Sequence, residues 1–127
     1  MGVSNDILVL SESTTAKPWI YQIGSDGGLT LTDQGQVPGT GGAAGTITRN
    51  GRYIFTRQSG VNLHSHRIDG SAATYLQNYG NPGSNTFTFT SSPDDQLLAY
   101  GVNVSPGLRY HALGEGGSLG TAVNPAG

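Results

Sequence analysis

The sequence predicts an all-β fold made of about three four-stranded repeats of roughly 45 residues, and three observations carry that prediction. Helical signals are missing. No window of eleven or more residues spaces its apolar positions by three and four, and 127 residues hold 21 Gly but only one Met, two Glu and one Lys. A polar turn pair then opens an apolar, β-branched or aromatic run three times: Asn5-Asp6 before Ile7-Leu8-Val9-Leu10, Asn50-Gly51 before Arg52-Tyr53-Ile54-Phe55-Thr56, and Asp94-Asp95 before Gln96-Leu97-Leu98-Ala99-Tyr100. Finally, Trp19-Ile20-Tyr21-Gln22-Ile23, His64-Ser65-His66-Arg67-Ile68 and Arg109-Tyr110-His111-Ala112-Leu113 superpose without gaps, 45 residues apart each time.

Taken in order, each repeat reads as one small sheet. The turn pair suits a two-residue hairpin, because Asn-Gly accepts positive φ without steric cost and Asp pairs accept it less well. The apolar run after it is a buried strand, and the segment ending in Ile23, Ile68 or Leu113 is the next. A glycine-bearing turn follows: Gly24-Ser25-Asp26-Gly27-Gly28, Asp69-Gly70-Ser71 or Gly114-Glu115-Gly116-Gly117. A weaker, edge-like strand then ends near Val37, Tyr79 or Val123, at the breaks Pro38-Gly39, Pro82-Gly83 and Pro125-Ala126-Gly127. Between repeats lies a threonine-rich strand, Thr46-Ile47-Thr48 or Thr86-Phe87-Thr88-Phe89-Thr90, whose alternation marks one wet and one buried face.

Four strands in such a period are the signature of a propeller blade. The expected arrangement is one domain, residues 1–127, of propeller-like blades with one blade split across the termini: its apolar strand is Ile7 to Leu10, its outer strands Leu108 to Leu113 and Gly120 to Val123. Eleven strands are counted where twelve are due, since Met1 to Ser4 is short for a threonine-rich strand. A β-trefoil, also built from three units of this size, is the alternative, although no Gln-x-Trp motif occurs.

The turn and strand Ser92-Pro93-Asp94-Asp95-Gln96-Leu97-Leu98-Ala99-Tyr100, with the Ile68-Asp69-Gly70 turn, resembles the blade motif of lactonase-type β-propellers over nearly the whole chain. The opening, Ser4-Asn5-Asp6-Ile7-Leu8-Val9-Leu10 and then Lys17-Pro18-Trp19-Ile20, resembles small propeller-like proteins of bacteriophage virions. The first resemblance implies a fold and no specific activity, because the blade motif recurs in enzymes, scaffolds and structural proteins. The acidic and basic residues that propeller lactonases gather at the central channel have no position-by-position match here.

Charge and composition narrow the partners. A net charge of −2, with Lys17, Arg49, Arg52, Arg57, Arg67 and Arg109 scattered, gives no phosphate-tracking stripe, so nucleic acid is not an expected partner. Zero cysteines exclude a disulfide framework. The N-terminus lacks the basic and apolar regions of a signal peptide, Asp6 stands where a myristoylation motif needs Ser or Thr, and no apolar run approaches a membrane helix. A soluble chain without membrane contact is the expectation, with the virion as its setting.

Motifs with chemical meaning reduce to ordinary structure. Gly39-Thr40-Gly41-Gly42-Ala43-Ala44 matches a dinucleotide fingerprint but is followed by a hairpin rather than the helix that would aim amides at a pyrophosphate. His64 and His66 share a strand face as metal ligands could, yet the equivalent positions hold Trp19 and Arg109, and Tyr21 and His111, which points to packing. Asp6, Asp69, Asp94 and Asp95 occupy turns. No G-x-S-x-G elbow exists, and Asn103-Val104-Ser105 fits a glycosylation acceptor without a visible secretory route. No cofactor, metal or catalytic residue is expected. Trp19, Tyr21, His64, His66, Arg109 and His111 form the candidate interaction surface, since large polar-tipped side chains on outer strands suit protein or sugar contacts.

Rings need four to eight blades. Fewer leave unpaired edges, so the chain is expected to pair with itself into a six-bladed ring or to pack as a wedge on other proteins of an assembly. The function expected is that of a non-enzymatic structural and interaction protein in a symmetric assembly such as a phage tail or capsid surface. A carbohydrate-binding module, marked by a repeated shallow pocket around Trp19, His64 and Arg109, is the alternative.

Overall fold

The computed structural model describes residues 2–4, 6–11, 18–34, 44–58, 62–70, 72–80, 86–102 and 107–125. Their only helical turn is a 3-10 turn at Glu115–Gly117, as the glycine excess and the absence of helical spacing require. Sheet I runs β1 (Gly2–Ser4), β2 (Ile7–Ser11), β3 (Pro18–Ile23), β4 (Leu29–Gln34); sheet II runs β5 (Ala44–Ile47), β6 (Tyr53–Gln58), β7 (Asn62–Asp69), β8 (Ala72–Asn78). Sheet III holds β9 (Thr86–Ser91), β10 (Leu97–Val102) and β11 (Leu108–Ala112). Every pairing is antiparallel between sequence neighbours, so each sheet is a simple meander.

Three expectations are corrected by this topology. No blade is split: β2 pairs with β1 and β3, and the C-terminal strands pair only within sheet III among the described residues. The first repeat is complete because the three residues of β1 suffice, Gly2, Val3 and Ser4 pairing with Val9, Leu8 and Ile7. The missing twelfth strand belongs to sheet III, where the segment after Gly117 reaches β11 only through the bridges Leu113↔Leu119 and Tyr110↔Val123. Gly116 and Gly117 at positive φ, then Gly120 and Pro125, are poor material for a longer strand. The β-trefoil fails as well, because three separate meanders do not close into a common barrel.

The turn pairs are also not equivalent. In sheet I, Ser4 pairs directly with Ile7, leaving two residues in the loop. In sheets II and III the loops hold four residues, closed by Thr48 N–H to the Tyr53 carbonyl and Ser92 N–H to the Leu97 carbonyl, each 2.9 Å. A left-handed residue completes each, Gly51 at φ 70° and Asp95 at φ 54°. Such four-residue loops are built on a type I turn and tolerate Asp where a two-residue hairpin prefers Gly. Bonds from Ile23, Ile68 and Leu113 N–H to the carbonyls of Asp6, Arg52 and Gln96 fix the true correspondence: Leu8, Ile54 and Leu98 share one repeat position, and Val9, Phe55 and Ala99 the next.

The sheets stack in chain order. β5 packs against β1 and β2 on one side and β9 on the other, while β4 meets β8. Alternation along β6 explains why: Ile54 enters a cluster with Ile7, Val9, Ile20 and Ile47, whereas its neighbour Phe55 enters one with Leu63, Leu98 and Leu113. Both faces of sheet II are therefore buried. Polar clamps cross the same junctions. The Asp33 carboxylate accepts the Ala73 N–H at 2.6 Å, and the two oxygens of Asp95 accept the Arg49 and Asn50 N–H groups at 2.9 and 2.7 Å. At the second junction Gly117, at φ 74°, lies so close to Tyr53 that a Cβ there would meet the ring at 2.5 Å.

Candidate interaction surface

The six residues singled out in the sequence fall on one repeated side of the sheets rather than on a common outer surface. Directly paired residues on neighbouring strands share a face, so His66 opposite Ile54, and His64 opposite Thr56, both look from sheet II toward sheet I. Both histidines are buried. His111 is paired with Leu98 and looks from sheet III toward sheet II, where it too is buried, with Arg109 half-buried beside it. Trp19 and Tyr21 hold the matching positions in sheet I and are half-buried on a face with no sheet of the described residues in front of it. An exposed surface shared by all six does not form: stacking of the repeats closes sheet I over His64 and His66 and sheet II over His111. His64, buried under sheet I, does not line an open shallow pocket of the kind expected to recur around Trp19, His64 and Arg109.

Local bonding shows what the histidines do. His64 Nδ1 lies 3.2 Å from the Tyr75 hydroxyl, and the His66 ring meets the same tyrosine edge-on at a centroid distance of 5.4 Å. No third His, Cys, Asp or Glu joins them as a metal ligand among the described residues. Around His111 the bonds define the tautomer: Nδ1 is 2.7 Å from the Gly120 carbonyl, which can only accept, so Nδ1 carries the hydrogen and Nε2 accepts from the Tyr100 hydroxyl at 2.8 Å. This chain of bonds ties the segment after the 3-10 turn to the body of sheet III.

Burial lowers the pKa of His64 from its ordinary 6.5, since the imidazolium would lose its hydration. The folded chain thus keeps His64 neutral where the unfolded chain takes up a proton. Stability from this source is complete above pH 6.5 and declines as the pH falls below it. Asp69 and Asp94 are held below the ordinary 3.8, by Arg67 and by Ser92 with the Gln96 amide respectively, so their contributions are lost only at still lower pH. Urea midpoints measured between pH 7.5 and 5 are therefore expected to fall for the native chain and to stay flatter for His64→Gln. Equal slopes would show that His64 is not the group responsible.

Two clefts sit at the junction of sheets II and III. The larger, about 660 Å³, lies between the turns and is lined by Asn50, Arg52, Asp94, Asp95, Gln96 and Glu115 among others. It joins polar groups from two repeats, but its aspartates are engaged in the turns: Asp94 accepts from the Ser92 hydroxyl at 2.6 Å, and Asp95 clamps two amides. The smaller, about 250 Å³, is bounded by Leu63, Tyr79, Arg109, His111 and residues 120–122. The sequence reading drew attention to Arg109 and His111 but missed this pocket, because Leu63 and Tyr79 reach it from the neighbouring repeat.

The exposed large apolar residues carry a clearer message. Leu29, Leu31, Leu97, Leu108 and Val123 are each 40–54% exposed. Leu29 and Leu31 pair with Ile23 and Tyr21, on the face of sheet I turned away from sheet II. Leu108 and Val123 pair with Gly101 and Tyr110, and Leu97 alternates with Leu98, which places all three on the face of sheet III turned away from sheet II. All five thus lie on the two end faces of the stack. The sequence held this signal in Leu97 and Leu108, whose repeat equivalents Tyr53 and Leu63 pack in the second junction. Reading it needed the stacking order.

No family model matches the chain, and no curated protein resembles it in sequence. Solved structures share its fold. A functionally unknown protein from Desulfotomaculum acetoxidans superposes with a TM-score of 0.78 at 18% identity, covering 94% of this chain and 38% of that one. A protein from Bacteroides uniformis, provisionally assigned as a 6-phosphogluconolactonase, gives a TM-score of 0.61 at 14% identity, covering 91% of this chain and 41% of that one. The chain spans about two fifths of the length of each. One neighbour is assigned as an enzyme and the other has no known function, so what they share with this chain is the fold: a propeller-like stack of small antiparallel sheets, similar to part of a lactonase-like propeller.

Proposed function

We propose that this chain is a structural and interaction protein whose working surfaces are the two end faces of its sheet stack, used in a symmetric assembly such as the surface of a bacteriophage tail or capsid. One observation carries the reading. Among the described residues, the five large apolar side chains that stand exposed all lie on these faces, at or opposite repeat positions that are packed inside the stack elsewhere. Exposed large apolar side chains gathered on particular faces, rather than scattered singly, mark a contact surface. The lactonase assignment of one structural neighbour supports a different use of the fold, but the aspartates in the larger cleft serve the turns.

Hydroxyl-radical footprinting tests the reading without knowledge of the partner. Compared with the dilute purified chain, the protein in its native source is expected to show Leu29, Leu31, Leu97 and Leu108 protected from oxidation. Equal labelling in the two samples would overturn the proposal.

A further inference from the structure

We infer that the two end faces are complementary halves of one repeated junction, and that a second copy of this chain occupies them head to tail. The inference rests on reading these faces as working surfaces and adds what covers them. Within the chain the same junction is made twice, by equivalent positions each time. On the donor side, Ile7 and Val9 of sheet I press on sheet II, and Tyr53 and Phe55 of sheet II press on sheet III. The same positions in sheet III are Leu97, 40% exposed, and Ala99, half-buried, with no sheet of the described residues in front of them. On the receiving side, Ala73 and Leu119 pack against the two clusters, and their equivalent in sheet I is Leu29, 54% exposed.

The equivalence of Leu29, Ala73 and Leu119 rests on register rather than on sequence. They pair across the sheet with Ile23, Ile68 and Leu113, the three residues spaced at the repeat period. Among the described residues the stack therefore presents a donor face on sheet III and a receiving face on sheet I, the two halves of one heterologous contact. Such a contact either closes into a ring or grows without limit. Two copies bring six sheets, within the four to eight that close a propeller, whereas three copies bring nine and exceed it. A face-to-face pairing of like ends would instead set two receiving faces together, a junction with no counterpart inside the chain.

The chain contains no cysteine, so single substitutions place unique reporters. Leu29→Cys and Leu97→Cys chains, each exposed sites where the fold tolerates the change, are purified separately, mixed and treated with a short bis-maleimide, while light scattering gives the mass of the untreated native chain. Head-to-tail closure predicts a particle of two chains and a cross-link formed only in the mixture, Leu29→Cys to Leu97→Cys, with little in either sample alone. A monomer at all concentrations, or cross-links within the Leu29→Cys sample alone, would overturn the inference. A monomer whose end faces are nevertheless protected in the native source would remove the second copy as occupant and leave the functional reading standing; a monomer whose faces remain labelled there would remove both.

Discussion

Phe55→Ala is expected to lower stability by about 3–5 kcal/mol, the range for deleting a fully buried aromatic side chain. Its ring is completely buried between sheets II and III, among Leu63, Leu98 and Leu113. The neighbouring Ile54 is equally buried but faces the other way, into Ile7, Val9, Ile20 and Ile47, so Ile54→Ala is expected to cost about 2–4 kcal/mol at the first junction. In a stack where each repeat touches only its neighbours, stability is a sum of repeat and junction terms. The two substitutions, one residue apart, should consequently loosen opposite ends of the molecule. Amide exchange checks this: Phe55→Ala speeds exchange in β10 and β11 and spares β2 and β3, and Ile54→Ala does the reverse. If both variants open all three sheets together, the stack behaves as one indivisible core and the nearest-neighbour description fails.

How much of this was legible beforehand depends on whether the signal was local. The three repeats, the absence of helix and the third strand of each sheet were visible because the 45-residue spacing of Ile23, Ile68 and Leu113 and the lack of helical apolar spacing need no knowledge of neighbours. The loop lengths were not visible, since Asn5-Asp6 and Asn50-Gly51 look alike as dipeptides. Only the closing bonds show that one loop holds two residues and the other four. That one-residue slip matters, because strand faces alternate: it would place Val9 in register with Ile54, on opposite sides of the stack. The misreading of His64, His66 and His111 as surface has a related cause. Polar-tipped residues are usually exposed, and these three are buried because each finds a partner for its ring nitrogen or ring face, Tyr75 for the first two and Tyr100 with Gly120 for the third. Sequence spacing could show that the three positions were equivalent; it could not show that the next repeat covers them.

His111→Leu is the sharper test of such a buried polar group, with an expected loss of about 2–4 kcal/mol. The substitution removes the acceptor of the hydroxyl of Tyr100, a residue only 2% exposed, and the donor that holds the Gly120 carbonyl. Most of the loss is thus the cost of stranding a buried hydroxyl rather than the strength of one bond, and the two origins separate in a double-mutant cycle. Tyr100→Phe in the His111→Leu background deletes the stranded group and should recover about 1 kcal/mol or more, although Tyr100→Phe alone is destabilising. Local structure gives an independent reading. With the Gly120 tether gone, the bridge between Tyr110 and Val123 loses its anchor, so the Val123 amide should exchange faster in both His111 variants even where global stability is restored. Purely additive single effects would mean that the Tyr100–His111 bond contributes nothing to folding, and unchanged exchange at Val123 would mean that the rudimentary fourth strand is held by something other than His111.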